Sequence, residues 1–285
     1  MQISLICSTF GRYNELDNLL KSLTLQTYKN FELIIVDQNT EPLIDELINF
    51  YSNDLHIIHI KSCRKGSTYN KNIGIRKASG DILGFPDDDC NYYHDTLSNM
   101  IKGFNEFNCD LIYGKIFNRD KGLNIMRAWP TQCFVIKSLY QIMLYSSNIV
   151  IFLRRNLIDY DSDFGINEKF GACEDIDLCY RAYKSNFLLH YNPSIEVNHP
   201  EGASNFLNKE KSYKYGRGWG AFFAKHFEVK IIPLFIGILG YFILITLRDI
   251  ILFRPTAQGR IYSLIGRTNG FFDYLINYKF RCNNS

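Results

Sequence analysis

No G-x-G-x-x-G turn follows the first apolar run of this sequence, which excludes a plain dinucleotide-binding fold. A glycine-rich phosphate loop with a basic residue is also missing there. Residues 8–15 read S-T-F-G-R-Y-N-E instead, which disfavours a nucleotidyltransferase that makes sugar nucleotides. Eight cysteines include no C-x-x-C pair. No signal peptide is read, because the apolar stretch at residues 3–7 is short and runs into polar sequence. The cysteines are therefore expected to be reduced thiols in a cytosolic setting. Internal repeats and low-complexity segments are lacking too.

What is present suits one large domain, or one domain plus an appendage, in 285 residues. Apolar residues make up an ordinary 46%, with 19 Tyr and 22 Phe. Four compact β-rich runs occupy residues 3–7, 31–36, 55–60 and 81–85. Between the first two, Leu16, Leu19, Leu20 and Leu23 recur at helical spacing behind Asn14, a candidate cap. Residues 67–80 read as a further helix, closed by Gly80. Strand, helix, strand with short links predicts a parallel sheet covered on both faces. Further strands are expected at 109–116, 148–155, 187–191 and 194–199, and a helix opening with acids at 174–186.

The fourth run ends in F-P-D-D-D-C. Asp87, Asp88 and Asp89 repel one another where a buried strand stops, which is unusual for a turn that only needs solvation. Adjacent carboxylates form a hard-oxygen site suited to Mg²⁺ or Mn²⁺ rather than Zn²⁺. Such an ion is shared with substrate phosphates and neutralises a departing diphosphate. A solvated acidic turn is the plainer alternative. Its place beyond a strand of a parallel sheet favours the binding role, because ligands lie at the carboxyl ends of such strands. Asp37 follows the second strand at the same edge, as a turn residue or as an acceptor for a base imide or ribose hydroxyl. Lys71 and Asn72 lie on the helix leading into the triplet strand, and Lys71 suits either a phosphate or the surface.

Residues 3–38, 70–90 and 171–182 together, the last reading G-A-C-E-D-I-D-L-C-Y-R-A, resemble the glycosyltransferase family 2 enzymes. Three separated motifs agree with that family in order and spacing over about residues 1–200. The resemblance implies a GT-A fold: an α/β, Rossmann-like, mixed but mostly parallel sheet flanked by helices. It implies an enzyme that moves a sugar, with inversion, from a nucleotide-sugar (a UDP-sugar) to a hydroxyl of a saccharide or lipid-linked saccharide in cell-surface polysaccharide synthesis, with Mn²⁺ or Mg²⁺ as cofactor. Residue by residue, it points to Thr9, with Arg12 and Glu15 nearby, as nucleoside contacts and to Asp37 as the base contact. The family's D-D-G-S stands here as D-Q-N-T. Its Arg-Asn pair appears as Lys71-Asn72. Asp87 corresponds to the ribose contact and Asp89 to the metal ligand of the D-x-D motif. Asp88 lies between them in the nucleotide-sugar site without a defined role. Asp175 is the implied general base and Glu174 its neighbour, although acids at a helix start also serve the helix dipole. His199 is implied as a late metal ligand or diphosphate contact, against a purely structural role. Trp129, Trp219, Tyr215 and Arg217 are candidates for the acceptor side or, for the aromatic ones, for a core.

Near residue 205 the character changes. Residues 205–285 hold 12 Lys+Arg and 4 Asp+Glu, against 20 and 25 in the rest. Residues 231–247 run uncharged, close to the roughly 17–20 residues a span requires. Basic residues flank both sides, so a helix or hairpin lying in one leaflet is expected, bent at Pro233 and Gly240. A buried helix of the main domain is the alternative. This tail resembles, more weakly, the membrane-associated ends of bacterial polysaccharide-building members. The expected organisation is a catalytic domain over 1–204, with its nucleotide-sugar half over 1–115 and acceptor half over 116–204, and a membrane-associated tail over 205–285. The expected place is the cytoplasmic face of the cell membrane. Because the tail is strongly apolar as well as basic, a membrane surface is favoured over nucleic acid. Oligomeric state stays open. A rival reading, a membrane scaffold that has lost its chemistry, would show loss of the acidic pair or of the D-x-D aspartates, and all are present.

Overall fold

The computed structural model describes residues 1–155, 157–201 and 204–279. Among these, ten strands form one sheet: β1 (Ile3–Thr9), β2 (Phe31–Asp37), β3 (Ile57–Lys61), β4 (Ile82–Gly84), β5 (Asn91–Tyr92), β6 (Leu111–Asn118), β7 (Leu123–Asn124), β8 (Phe134–Val135), β9 (Ile151–Arg154) and β10 (Leu189–Asn198). Their order is β3-β2-β1-β4-β9-β6-β10-β5, with β7 beside β6 and β8 beside β10. The longest ladders, β1–β2, β2–β3 and β6–β10, are parallel. β9 runs antiparallel between β4 and β6, which makes the sheet mixed.

The helices are α1 (Asn14–Thr24), α2 (Asp45–Tyr51), α3 (Ser67–Lys77), α4 (Thr96–Phe107), α5 (Leu139–Tyr145), α6 (Glu174–Lys184), α7 (Lys209–Lys225), α8 (Ile232–Ile251) and α9 (Ala257–Tyr274). The chain separates into two compact units, Met1–Tyr160 with Leu178–Glu201, and Asp161–Asp177 with Gly202–Ser285. The dividing point falls inside α6.

In the first unit β1 and β2 are buried nearly throughout, and the leucine stripe of α1 is fully buried. Asn14 provides no cap: the preceding Tyr13 takes the N-cap position, without a side-chain bond. Gly80 does not close α3 either. That helix ends at Lys77, with extended Ala78 as its C-cap. Gly80 is small because β1 passes it closely: a Cβ there would come within 2.7 Å of the Ser4 nitrogen. Buried Glu32 fixes the same turn, accepting from the Ser4 hydroxyl at 2.5 Å and the Ser79 backbone at 2.7 Å. The turn delivers β4 alongside β1. Residues 187–191 and 194–199, expected as two strands, are mostly one: Pro193 sits in a register irregularity within β10 rather than ending it. The seven cysteines among the described residues are free thiols.

In the second unit α7 and α9 pack at backbone contact. A Cβ on Gly220 would lie 1.9 Å from the Arg267 carbonyl oxygen, and one on Gly266 2.3 Å from that of Tyr213. Small residues at such spacings let two helical backbones approach closely. α8 runs unbroken through Gly240, and Pro233 sits in its first turn, where a missing N–H costs nothing. Neither residue interrupts the helix, so the expected hairpin alternative is not formed. An 18-residue window of Val229–Ile251 has a mean hydropathy of 2.2 and only 17% of it is buried, so among the described residues this segment does not pack as a core helix. Twenty helical residues rise about 30 Å, the thickness of a bilayer's hydrocarbon core.

Gly220→Ala should destabilise the protein by about 1–3 kcal/mol, because the methyl group meets backbone that cannot yield. Gly237→Ala, where an added Cβ meets nothing within 4 Å, should be neutral or stabilising. Thermal unfolding in detergent, followed by circular dichroism, compares the two.

Candidate active site

The chain runs from β1 outward to β2 and β3 and then returns to β4 on the other side of β1. That reversal opens a crevice at the carboxyl ends of β1 and β4. The parallel register sets Thr9 beside Asp37 and Asp37 beside Lys61 along this edge. The residues after β4 carry Asp87, Asp88 and Asp89 to the same edge.

Each carboxylate of the triplet meets a different set of partners, with Arg12 common to two of them. Asp88 is buried. It accepts from the Thr9 hydroxyl at 2.8 Å and from the Arg12 guanidinium at 2.9 Å. Burial pushes its carboxyl up to about 6; the Thr9 and Arg12 contacts oppose this and the neighbouring aspartates add to it. Asp89 is held below the ordinary carboxylate range. Burial acts against this, but His199 and Arg12 prevail. Arg12 also bonds Asp89 Oδ2, while His199 Nε2 lies 3.3 Å from Oδ1. Asp87 is half exposed, with the buried Lys71 ammonium at 3.5 Å.

One ligand atom each from Asp87, Asp89 and His199 lies within 4.8 Å of the others. Two carboxylates and an imidazole are a fitting donor set for Mn²⁺ or Mg²⁺. His199 Nδ1 sits 2.8 Å from the Pro200 carbonyl. With Nδ1 donating there, an ion can take Nε2 in place of the proton it shares with Asp89, the arrangement usual for a ligating histidine. The residues present therefore fit a divalent ion.

A second acidic group, Asp37, Asp45 and His59, is equally compact. It already holds a cation: Lys61 Nζ is 2.8 Å from Asp37 and 3.0 Å from Asp45. Asp37 is fully buried. Burial would raise its carboxyl, but Lys61, Asn39 and His59 donate to it and hold it below the usual range. Lys61 and His59 were not singled out in the sequence. The signal was the third strand itself, whose register delivers its last residue to Asp37. Gln38 and Asn39 are structural braces. Gln38 bonds the Ser8 hydroxyl at 2.9 Å and accepts from the Gly66 backbone at 2.9 Å, and Asn39 accepts from the Gly11 backbone at 2.8 Å.

Thr9, Arg12, Lys71, Asp87, Asp88, Asp89 and His199 thus come together, with Asp37 beside Thr9. Glu15 is exposed in the first turn of α1, with no hydrogen bond to this group among the described residues. The Asn72 amide brackets the backbone of Tyr160, donating at 2.9 Å and accepting at 3.0 Å. Trp129 is buried, donates to the Ile125 carbonyl and stacks on Tyr191, so it belongs to the core.

Glu174 and Asp175 open α6 in the second unit, both half-buried. Asp177, in the same first turn, is fully buried. It is bonded by Lys225 at 2.6 Å and His226 at 2.8 Å, both from the end of α7. Lys225 also reaches Asp161 at 2.6 Å. Trp219 packs against Phe223 and Arg267, Arg217 bonds Asp273 at 2.5 Å, and Lys211 lies over Tyr215.

The profile of the family described as "Glycosyl transferase family 2" matches residues 4–166, more than half of the chain. A Campylobacter jejuni protein, GalNAc(5)-diNAcBac-PP-undecaprenol beta-1,3-glucosyltransferase, is 31% identical over 108 residues, which is 37% of this chain and 35% of that one. Alignments to glycosyltransferases of three Rickettsia species cover less than a fifth of those proteins' length. Among solved structures, Staphylococcus aureus TarS 1–349 in complex with UDP-GlcNAc superposes with a TM-score of 0.57 at 18% identity, covering 96% of this chain and 91% of its own. Mannosyltransferase PcManGT from Pyrobaculum calidifontis, in complex with GDP-Man and Mn²⁺, gives 0.64 at 13% identity, with coverages of 95% and 87%. The fold is the GT-A fold of these neighbours.

Lys61→Ala should lower stability at pH 7 by about 1 kcal/mol, since the lysine is partly exposed and screened. The lost contribution belongs to a carboxylate whose folded pKa is depressed. It is fully present above the unfolded value of about 3.9 and disappears as pH falls through the lower folded value. Urea unfolding at pH 7 and at pH 3 should show the gap between parent and variant closing in acid.

Proposed function

This chain belongs to glycosyltransferase family 2, and we propose that it transfers a sugar, with inversion, from a UDP-sugar to a hydroxyl of a saccharide or lipid-linked saccharide, using Mn²⁺ or Mg²⁺. The observation that carries this reading is the convergence of Asp87, Asp89 and His199 at the crevice beside β1. UDP-GlcNAc in TarS and GDP-Man with Mn²⁺ in the Pyrobaculum enzyme support a nucleotide-sugar donor and a divalent cation. The undecaprenol-linked substrate named for the Campylobacter relative supports a lipid-linked acceptor in cell-surface polysaccharide synthesis.

Thr9 and Asp37 line the nucleoside, with Asp87 at the ribose. Asp88 holds Thr9 and Arg12 in place. Arg12 and Lys71 face the diphosphate oxygens, where charge develops as the bond to the sugar breaks. When bound, a divalent ion held by Asp89, Asp87 and His199 supplies further neutralisation of that charge. Asp175 takes the proton of the acceptor hydroxyl as its oxygen attacks the anomeric carbon from the face opposite the diphosphate. The new glycosidic bond forms as the carbon–oxygen bond to phosphate breaks, so configuration inverts and the nucleoside diphosphate leaves. Glu174 orients Asp175 or meets the acceptor. The catalytic domain spans about residues 1–204.

Asp89→Ala should abolish Mn²⁺-dependent binding of UDP-sugars in calorimetry. Asp175→Asn should keep that binding and lose about 10²–10⁴-fold in turnover. A variant lacking Asp89 that binds metal and nucleotide like the parent would defeat the donor-site assignment.

Residues 205–285 attach the enzyme to the cytoplasmic face of the cell membrane through α8, whose apolar surface is exposed and whose flanks are basic. Replacing exposed Ile236 and Leu244 together with Asp should reduce the fraction bound to phosphatidylglycerol vesicles by about tenfold or more, because each charge costs about 2.5–3.5 kcal/mol at mid-membrane. Vesicle flotation is the measurement.

A further inference from the structure

The second unit contains a cleft of about 610 Å³ between the N-terminal half of α7 and the loop from Ile166 to Gly171. That volume lies inside the range of about 300–1,000 Å³ typical of small-molecule sites. The loop wall is built rather than loose. Gly165 N bonds the Phe170 carbonyl at 2.9 Å and Phe170 N bonds that of Asp163 at 2.7 Å, closing the loop on itself. The Phe164 and Phe170 rings pack 5.3 Å apart and Phe170 sits 5.8 Å from Tyr274, which ends α9. Gly171 lies so close to α7 that a Cβ would meet Lys214 Cβ at 2.9 Å.

Most of the residues that line the cleft are charged or carry amides, and cations outnumber acids among them. Lys169, Lys211, Lys214 and Arg217 face two acids, Glu168 and Glu210. Glu210 is paired with Lys214 at 2.7 Å and Arg217 with Asp273 at 2.5 Å, so counting Asp273 with the lining acids leaves an excess of one positive charge. Tyr215 contributes an aromatic surface, and Asn167 and Asn208 contribute amides. Lysines suit phosphate as point charges, an aromatic surface suits a sugar ring, and amides suit hydroxyls.

We infer that this cleft binds a phosphate-bearing saccharide, with the phosphate among Lys169, Lys211 and Lys214 and the ring against Tyr215. Resting on the proposed transferase reading, this defines the acceptor as an anionic glycan rather than a neutral one. The phosphate can come from a glycan backbone or from the diphosphate of a lipid carrier, which share the same chemistry.

The test is calorimetric titration of the full-length chain, in detergent and EDTA, with glucose 1-phosphate. EDTA silences the metal-dependent donor site, and the Asp89→Ala chain should bind the ligand as the parent does. Lys211→Ala with Lys214→Ala, both exposed positions, should weaken binding at least tenfold while leaving the melting temperature unchanged. Binding should also weaken with added salt, and glucose should not bind. An isoprenyl diphosphate-linked sugar that competes with glucose 1-phosphate supports the cleft and assigns the lipid carrier as its source. Glucose 1-phosphate binding that persists when Mn²⁺-dependent UDP-sugar binding is absent supports the cleft and counts against the transferase reading alone. Equal binding by parent and double variant overturns the inference, as does no binding at all. So does inorganic phosphate binding as tightly as the sugar phosphate, or anionic vesicles alone being bound.

Discussion

The mutual repulsion of three consecutive carboxylates has to be met wherever they are brought together, and here they leave a buried strand at the point where strand order reverses. Compensation comes from chain segments far away in sequence: Arg12 after β1, Lys71 on α3 and His199 just beyond β10. Each carboxylate is compensated differently. Asp88 is drawn inward and bonded by Thr9 and Arg12, Asp89 is shared between Arg12 and His199, and Asp87 stays half exposed near Lys71. The buried member becomes a strut, and the outer two remain placed to share a cation with His199.

Asp37 makes the contrast plain. It stands on the same sheet edge in a group of equal compactness, yet Lys61 already occupies the position a metal ion would take. An acidic cluster does not by itself define a metal site. What distinguishes the two groups is that Lys61 bridges both carboxylates of its own, Asp37 and Asp45, whereas among the described residues Arg12 takes Asp89 together with Asp88 and Lys71 lies 3.5 Å from Asp87 alone.

The second unit is organised by backbone proximity. Glycines on α7 and α9 allow carbonyl contact, and the resulting pair supports the cleft wall through Phe170, Tyr274 and Arg217. The buried Asp177, bonded by Lys225 and His226, joins α6 to the end of α7 in the same first turn as Glu174 and Asp175. Glu174 and Asp175 are thereby carried on an anchored helix.

Much of this was legible in the residues alone. Period-two and period-3.6 patterns located β1 to β4, α1 and α3, because buried strands and amphipathic helices impose those periods on apolar residues. The place of the aspartates at the sheet's ligand edge followed from where the fourth apolar run ends, and the apolar character of α8 from an uncharged run of 17 residues. Hidden from the sequence were α2, α4 and α5, the true end of α3, the continuity of β10 past Pro193, and the core position of Trp129. These depend on contacts between distant segments. The sequence by itself determined which groups can bear charge and where β1 to β4, α1, α3 and α6 lie. Only the tertiary structure decided which charges meet, since Lys61 reaches Asp37 through strand register and His199 reaches Asp89 across 110 residues of chain, neither of which any local pattern encodes.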